Sequence, residues 1–188
     1  MIPALWTSPP LTAEESARWT TSEERAAAAG FVSERRRAEF LTWRAVVRRE
    51  LGDDVGIAYD ALGAPVLTNR AVHISVAHCA GRIAVCASPE RCAVDIEPAT
   101  RDFRRAASRY LTPEEEALSD DPLLPGIVWC AKETLYKYAG RRELDFRKDL
   151  RIESADLAAG RLMGRIENGE PVELSVCRED GFILVCIL

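Results

Sequence analysis

The 188 residues, 47% hydrophobic and 29% charged, suit a soluble globular chain of one large domain or two small ones sharing a core. The net charge of −5 argues against a nucleic-acid binder. No apolar run approaches the ~20 residues of a membrane helix, and Met1-Ile2-Pro3-Ala4-Leu5-Trp6 has no basic leader, so a cytoplasmic protein is expected.

In chain order, residues 1–13 read as an extended lead-in, and Glu14 to Ala29 as one mostly exposed, alanine-rich helix. Ser33 is placed to cap a helix that reaches Leu51, with Phe40, Leu41, Val47 and Leu51 at helical spacing and Gly52-Asp53-Asp54 as its stop. Ile57 to Tyr59 reads as a short strand before a turn over Asp60-Ala61-Leu62-Gly63-Ala64-Pro65. Val72 to Val76 and Ile83 to Ala87 read as strands around Ala80-Gly81, and Cys92 to Glu97 as a strand ending at Pro98.

A helix is expected from Asp102 to Tyr110. Thr112-Pro113-Glu114-Glu115 then supplies an N-cap, a first-turn proline and first-turn acids. Asp121-Pro122 through Pro125-Gly126 reads as a loop, and Ile127 to Tyr138 as a helix stopped at Gly140. The remainder is β-rich and closes with a hairpin of Val172 to Cys177 and Phe182 to Leu188.

An ungapped repeat runs through the chain at an offset of 100. Val72, Ser75, Val76, Gly81, Ile83, Val85 and Cys86 recur as Val172, Ser175, Val176, Gly181, Ile183, Val185 and Cys186. The fold class expected is therefore α+β: one domain of two pseudo-symmetric halves, about 1–90 and 91–188, each a helix on a small antiparallel sheet. A cleft between such halves is a natural ligand site. Cys79, Cys86, Cys92, Cys130, Cys177 and Cys186 form no C-x-x-C pair, and read as buried thiols rather than a disulfide framework or zinc site.

Three segments bear chemistry. On a strand over Cys92 to Glu97, Asp95 and Glu97 share one face and Val94 and Ile96 the other. Two adjacent carboxylates repel, and a hard divalent cation such as Mg²⁺ relieves the repulsion; two solvated surface acids are the plainer reading. In Trp129-Cys130-Ala131-Lys132-Glu133-Thr134-Leu135-Tyr136-Lys137-Tyr138, the residues Val128, Ala131, Leu135 and Tyr138 form an apolar stripe, with Glu133 and Lys137 opposite at i and i+4. That pair reads either as an ordinary exposed ion pair or as a third metal carboxylate beside a phosphate-binding ammonium. Only three of the 25 basic residues are lysines, and two of them, Lys132 and Lys137, fall in this segment. Lastly, His78 is placed just past a strand beside a glycine turn, where an imidazole donates readily to phosphate. Arg36 and Arg44 offer guanidinium for the same purpose, against the alternative of a solvated helix face.

Taken together these segments resemble the Sfp-type phosphopantetheinyl transferases, particularly the enterobactin-synthase-component-D-like branch. The resemblance runs from about Ser33 to Lys148 through Arg36-Arg37-Ala38-Glu39-Phe40-Leu41-Thr42-Trp43-Arg44, Gly63-Ala64-Pro65, Ser75-Val76-Ala77-His78-Cys79-Ala80-Gly81, Val94-Asp95-Ile96-Glu97-Pro98 and Trp129-Cys130-Ala131-Lys132-Glu133-Thr134-Leu135-Tyr136-Lys137. It implies a monomer with coenzyme A between the halves and Mg²⁺ held by Asp95, Glu97 and Glu133. Lys137 and Lys132 would contact phosphate, as would His78, Arg36 and Arg44, while Gly63 and Pro65 line the adenine side. A serine of an acyl or peptidyl carrier protein would take the phosphopantetheine and release 3′,5′-ADP, with Glu133 as base, directly or through a water. This sequence departs from the family at Leu62 and Ala64, where a lysine is common, and at Ala77 and Cys79, where serines are. These departures motivate an alternative, a non-catalytic coenzyme A-binding regulator. A metal-dependent nucleotide phosphohydrolase is the third reading.

Overall fold

The computed structural model describes residues 2–188. Contacts divide the chain into a unit ending at Arg91 and a second unit, Cys92–Leu188. The expected α+β class holds, with helices and antiparallel sheets in each unit. Among the described residues, no helix is long and apolar enough to cross a membrane.

The first unit opens with strand β1, Ala4–Ser8. The single helix expected over Glu14 to Ala29 is instead two, α1, Ala13–Ala17, and α2, Ser22–Ala29. The break has a local cause: Thr21 and Glu24 form a second capping box that restarts the helix, after the Thr20 hydroxyl has donated back to Ser16 O at 2.9 Å. Helix α3, Glu34–Leu51, starts as expected, with the Ser33 hydroxyl accepting from Arg36 N–H, and ends at Gly52, whose φ of 115° a side chain would resist. Strands β2, Ile57–Tyr59, and β3, Pro65–Leu67, pair across the turn, with Gly63 at φ 86°.

Strands β4, His73–Cys79, and β5, Arg82–Ser88, complete a three-stranded sheet in the order β1-β5-β4. Trp43, Val46 and Val47 of α3 pack on Ile74, Ile83, Val85 and Ala87 of the sheet. Each such burial is worth ~1.5–3 kcal/mol, enough to seat the helix.

The second unit begins with β6, Ala93–Pro98. The helix expected at Asp102 is a 3-10 segment, Arg104–Arg109, held where the buried Tyr110 hydroxyl donates to Phe103 O at 3.2 Å and Pro125 O at 3.0 Å. Helix α4, Pro113–Glu116, has the anticipated Thr112 cap, closed into a box by Glu115. Helix α5, Leu124–Ala139, starts three residues before the expected Ile127, because Pro125 is tolerated in a first turn where its missing N–H has no partner to lose. Gly126 is there for space: a Cβ would stand 2.7 Å from both Ile183 Cδ1 and Phe103 Cε2.

Strands β7, Leu150–Asp156, β8, Arg161–Ile166, β9, Val172–Glu179, and β10, Phe182–Ile187, form with β6 a five-stranded sheet ordered β6-β10-β9-β8-β7. Ile127, Val128, Ala131 and Leu135 of α5 share one core with Leu150, Leu162, Leu174, Ile183 and Val185 of this sheet.

The repeat is visible in the hydrogen-bond register. Ser75 opposes Cys86 and Val76 opposes Val85; Ser175 opposes Cys186 and Val176 opposes Val185. Adding 100 to both partners of the first hairpin therefore reproduces the second. The hairpins turn on matching glycines, Gly81 at φ 88° and Gly181 at φ 80°. The neighbouring strands correspond too: Trp6 and Ser8 of β1 oppose Val85 and Ile83, while Asp95 and Glu97 of β6 oppose Val185 and Ile183. The acidic pair is thus a property of the second unit alone.

Of the six cysteines expected to be buried, five are; Cys177 on β9 is exposed.

Candidate functional site

Alternation along β6 places Asp95 and Glu97 on the face that also carries Val185 and Ile183 of the neighbouring β10. Helix α5 covers this face. Its Thr134 hydroxyl donates to both Cys130 O and Val185 O, and the Cys130 thiol lies 3.9 Å from Ile183 O.

Trp129, Glu133 and Lys137, four residues apart, form one stripe along α5. At one end the Trp129 indole N–H donates to Glu97 Oε1 at 3.1 Å. At the other the Lys137 ammonium donates to Asp95 Oδ1 at 2.8 Å and to Val94 O at 2.9 Å. Glu133 sits between them, one turn from each, and so faces the pair of strand acids. The electrostatics agree: burial first, and then the negative charge of Asp95, hold the Glu133 carboxyl above its ordinary range. Glu97 is raised mainly by burial and further by Asp95, with Arg101 opposing. The Cys130 thiol beneath is pushed well up by burial and then by Asp95 and Glu97, so it stays protonated.

Two groups in this site carried no assigned role at the level of sequence. The Arg101 guanidinium pairs with Glu97 and lies 5.2 Å from the ring centres of both Phe103 and Trp129. Trp129 is braced by Phe146, stacked at 5.6 Å, and by Tyr110, edge-on at 5.1 Å. The 129/133/137 spacing was the available signal for Trp129. For Arg101 it was position, four residues after Glu97.

Among the described residues, no group of three or more His, Cys, Asp and Glu side chains closes into a metal-binding arrangement. The Lys137 and Arg101 cations neutralise the strand acids instead. The donor set nevertheless suits a hard cation. Asp95 Oδ2 is buried without a hydrogen-bond partner, and Glu133 makes no hydrogen bond or ion pair among the described residues. A buried carboxylate oxygen without a partner is costly, and a cation is what would satisfy it.

Lys132 is not on this stripe. Its ammonium is completely buried, donating to Tyr110 O at 2.6 Å and pairing with Glu115 at 2.8 Å. Glu115 also accepts from the Thr112 and Ile152 backbone N–H groups. The expectation that Lys132 contacts phosphate is corrected: its charge is spent joining α4, α5 and β7.

In the first unit, Arg44 is likewise corrected. Its guanidinium is buried, 3.4 Å from the centre of the Phe40 ring and 4.1 Å from that of Trp43. It donates to Tyr59 Oη at 2.6 Å and to Phe40 O at 2.9 Å, and it pairs with Glu24. Arg36 is exposed near the start of α3, 4.9 Å from the Phe31 ring centre. His78 lies within β4 rather than past it, half exposed, with Nδ1 3.4 Å from Glu39 Oε2. Gly63 stands in the β2–β3 turn, where a Cβ would meet nothing within 4 Å, and Pro65 opens β3 opposite Tyr59.

Residues 91–183 match the model of the 4′-phosphopantetheinyl transferase superfamily. The match takes in Asp95, Glu97, Lys132, Glu133 and Lys137 and leaves Arg36, Arg44, Gly63, Pro65 and His78 outside it. No curated protein matches the chain.

Proposed function

We propose that this chain transfers the 4′-phosphopantetheine of coenzyme A to a serine of an acyl or peptidyl carrier protein, with Mg²⁺ as cofactor. The observation that carries the reading is the buried, partnerless Asp95 Oδ2 facing an α5 stripe that brings Glu133 and Lys137 to the same strand. The superfamily match over residues 91–183 supports it, and the branch we propose is the enterobactin-synthase-component-D-like one that the motifs from Arg36 to Lys137 resemble.

In this reading Asp95, Glu97 and Glu133 hold the ion. When bound, Mg²⁺ supplies positive charge against the diphosphate of coenzyme A. Lys137 leaves its pairing with Asp95 to steady oxygens of the transferring phosphoryl group. The carrier serine Oγ attacks the phosphorus bonded to pantetheine. The phosphorus–oxygen bond to 3′,5′-ADP breaks, and 3′,5′-ADP leaves. Glu133 takes the serine proton, directly or through a water. Arg101 and Trp129 hold Glu97 in place. Arg36 and His78 contact phosphates of coenzyme A, and Gly63 and Pro65 line its adenine. The protein acts as a cytoplasmic monomer.

The test is intact mass spectrometry of apo carriers from fatty acid, polyketide and nonribosomal peptide synthesis, incubated with the protein, coenzyme A and Mg²⁺. A mass gain of one phosphopantetheine, with stoichiometric 3′,5′-ADP, is expected on at least one of them. Release of 3′,5′-ADP without any carrier gain would make the protein a hydrolase. Coenzyme A binding with no reaction would make it a regulator.

A further inference from the structure

We infer that Glu39 is a positioning residue that fixes the His78 ring by Nδ1 and leaves Nε2 as the nitrogen presented outward. Glu39 belongs to the second turn of α3, and its carboxylate is 7% exposed. One oxygen stands 3.4 Å from His78 Nδ1 and the other 3.7 Å from Arg35 Nε. Arg35 is 68% exposed, so water competes for it; His78 is 51% exposed and fixed to a strand. Burying a carboxylate is expensive without a partner, and a hydrophobe at position 39 would avoid that expense. What the carboxylate supplies is a negative charge 3.4 Å from one particular ring nitrogen.

The strand explains why the ring needs such a support. His78 alternates with Ile74 and Val76, so it shares the β4 face that α3 covers. Its cross-strand partner is Ile83, which is fully buried and apolar. Nothing polar on β5 in register with His78 orients the imidazole. Glu39 reaches the ring from the helix, its Oε2 3.4 Å from Nδ1, and in the inferred arrangement the Nδ1 proton lies on that side. Nε2 then donates to an anion when the ring is charged. The link from ring position to coenzyme A binding rests on the proposed phosphate contact of His78; the link from Glu39 to the ring does not.

The test separates the two links. The chain has two histidines, so long-range ¹H–¹⁵N spectra of the histidine-labelled protein resolve both, and His73→Gln assigns them. Neutral His78 is expected as the Nδ1–H tautomer in the unliganded protein and to shift toward Nε2–H in Glu39→Gln. Wild-type His78 protonated on Nε2 overturns the inference, and that measurement needs no variant to fold. Glu39→Gln is also expected to raise the KM for coenzyme A by ~3- to 10-fold, the range of one hydrogen bond, with kcat little changed. In a His78→Gln background the same change should do nothing. An undiminished effect there overturns the inference. A tautomer shift with KM unmoved in both single variants removes His78 from the phosphate contacts and leaves its orientation by Glu39 standing.

Discussion

Lys137 pairs with Asp95 across to the neighbouring strand and not with Glu133, one turn back on its own helix. A Glu–Lys pair at i, i+4 is favourable but worth only ~0.3–0.5 kcal/mol on an exposed helix. Asp95 is the more demanding partner because its side chain is 11% exposed and one of its oxygens is already without a hydrogen bond. Lys137→Met would strip the other oxygen of its ammonium. The expected loss is ~1–3 kcal/mol in a urea melt run with a chelator. Mg²⁺ should restore part of it, since a cation again faces Asp95. Transfer activity should be lost with or without the recovery. An unchanged melt in chelator would mean that the pair holds nothing together.

Lys132→Met is expected to behave in the opposite way. It leaves Glu115 buried and charged with only the Thr112 and Ile152 N–H groups for company. Breaking a buried pair by removing one partner costs ~3–5 kcal/mol. The urea midpoint should fall sharply, while molecules that remain folded at low temperature should transfer at close to the wild-type rate. A specific rise in the KM for coenzyme A, without loss of stability, would return Lys132 to the phosphate contacts.

Arg44 provides a third contrast. Burial tends to lower its pKa, and Tyr59, Glu24 and the Phe40 and Trp43 rings compensate the charge. A lysine has neither the planar face for the rings nor the fork that reaches Tyr59 Oη and Phe40 O together. Arg44→Lys should therefore lose ~1–3 kcal/mol of stability, the cost of leaving buried polar groups unsatisfied. Coenzyme A affinity of the folded protein should stay put, whereas Arg36→Ala should weaken it with no change in melting.

The contrast among these cations marks where sequence reading works. Helix α3 with its Ser33 cap, the Thr112 cap and first-turn Pro113, both repeated hairpins and the shared face of Asp95 and Glu97 follow from local chemistry and period. They needed no knowledge of what lay opposite. The α1–α2 break at Thr21 was equally local: Thr21 and Glu24 spell a capping box inside the presumed helix. Lys132 and Arg44 were misplaced for a different reason. A cation's burial depends on partners far along the chain, Glu115 for one and Tyr59 and Glu24 for the other. A hint existed for Lys132, which lies four residues after Val128 and three before Leu135 and so borders the apolar stripe. The orphaned Asp95 oxygen has no counterpart in sequence, because it is a property of packing alone.

Glu133 gives the test that bears most directly on the site. In the metal-free protein its folded pKa is raised above the ordinary 4.5, by burial and then by Asp95. An acid raised in this way binds more protons folded than unfolded between the two pKa values, so stability falls as pH rises through that window. The penalty is absent below the unfolded value and fully present above the folded one. Glu133→Gln never carries it. In chelator, the variant should be more stable than wild type near neutrality, by a margin that shrinks to nothing as the pH falls to about 4. Urea midpoints of both proteins across that range measure the margin. Mg²⁺ at neutral pH should reverse the order, since an ion that binds only the folded state stabilises wild type in proportion to its affinity and has lost a ligand in the variant. Transfer by the variant should drop by at least ~10²-fold, the usual contribution of a general base. If wild type matches the variant at neutral pH in chelator and gains no stability from Mg²⁺, Glu133 neither faces Asp95 nor holds an ion with it.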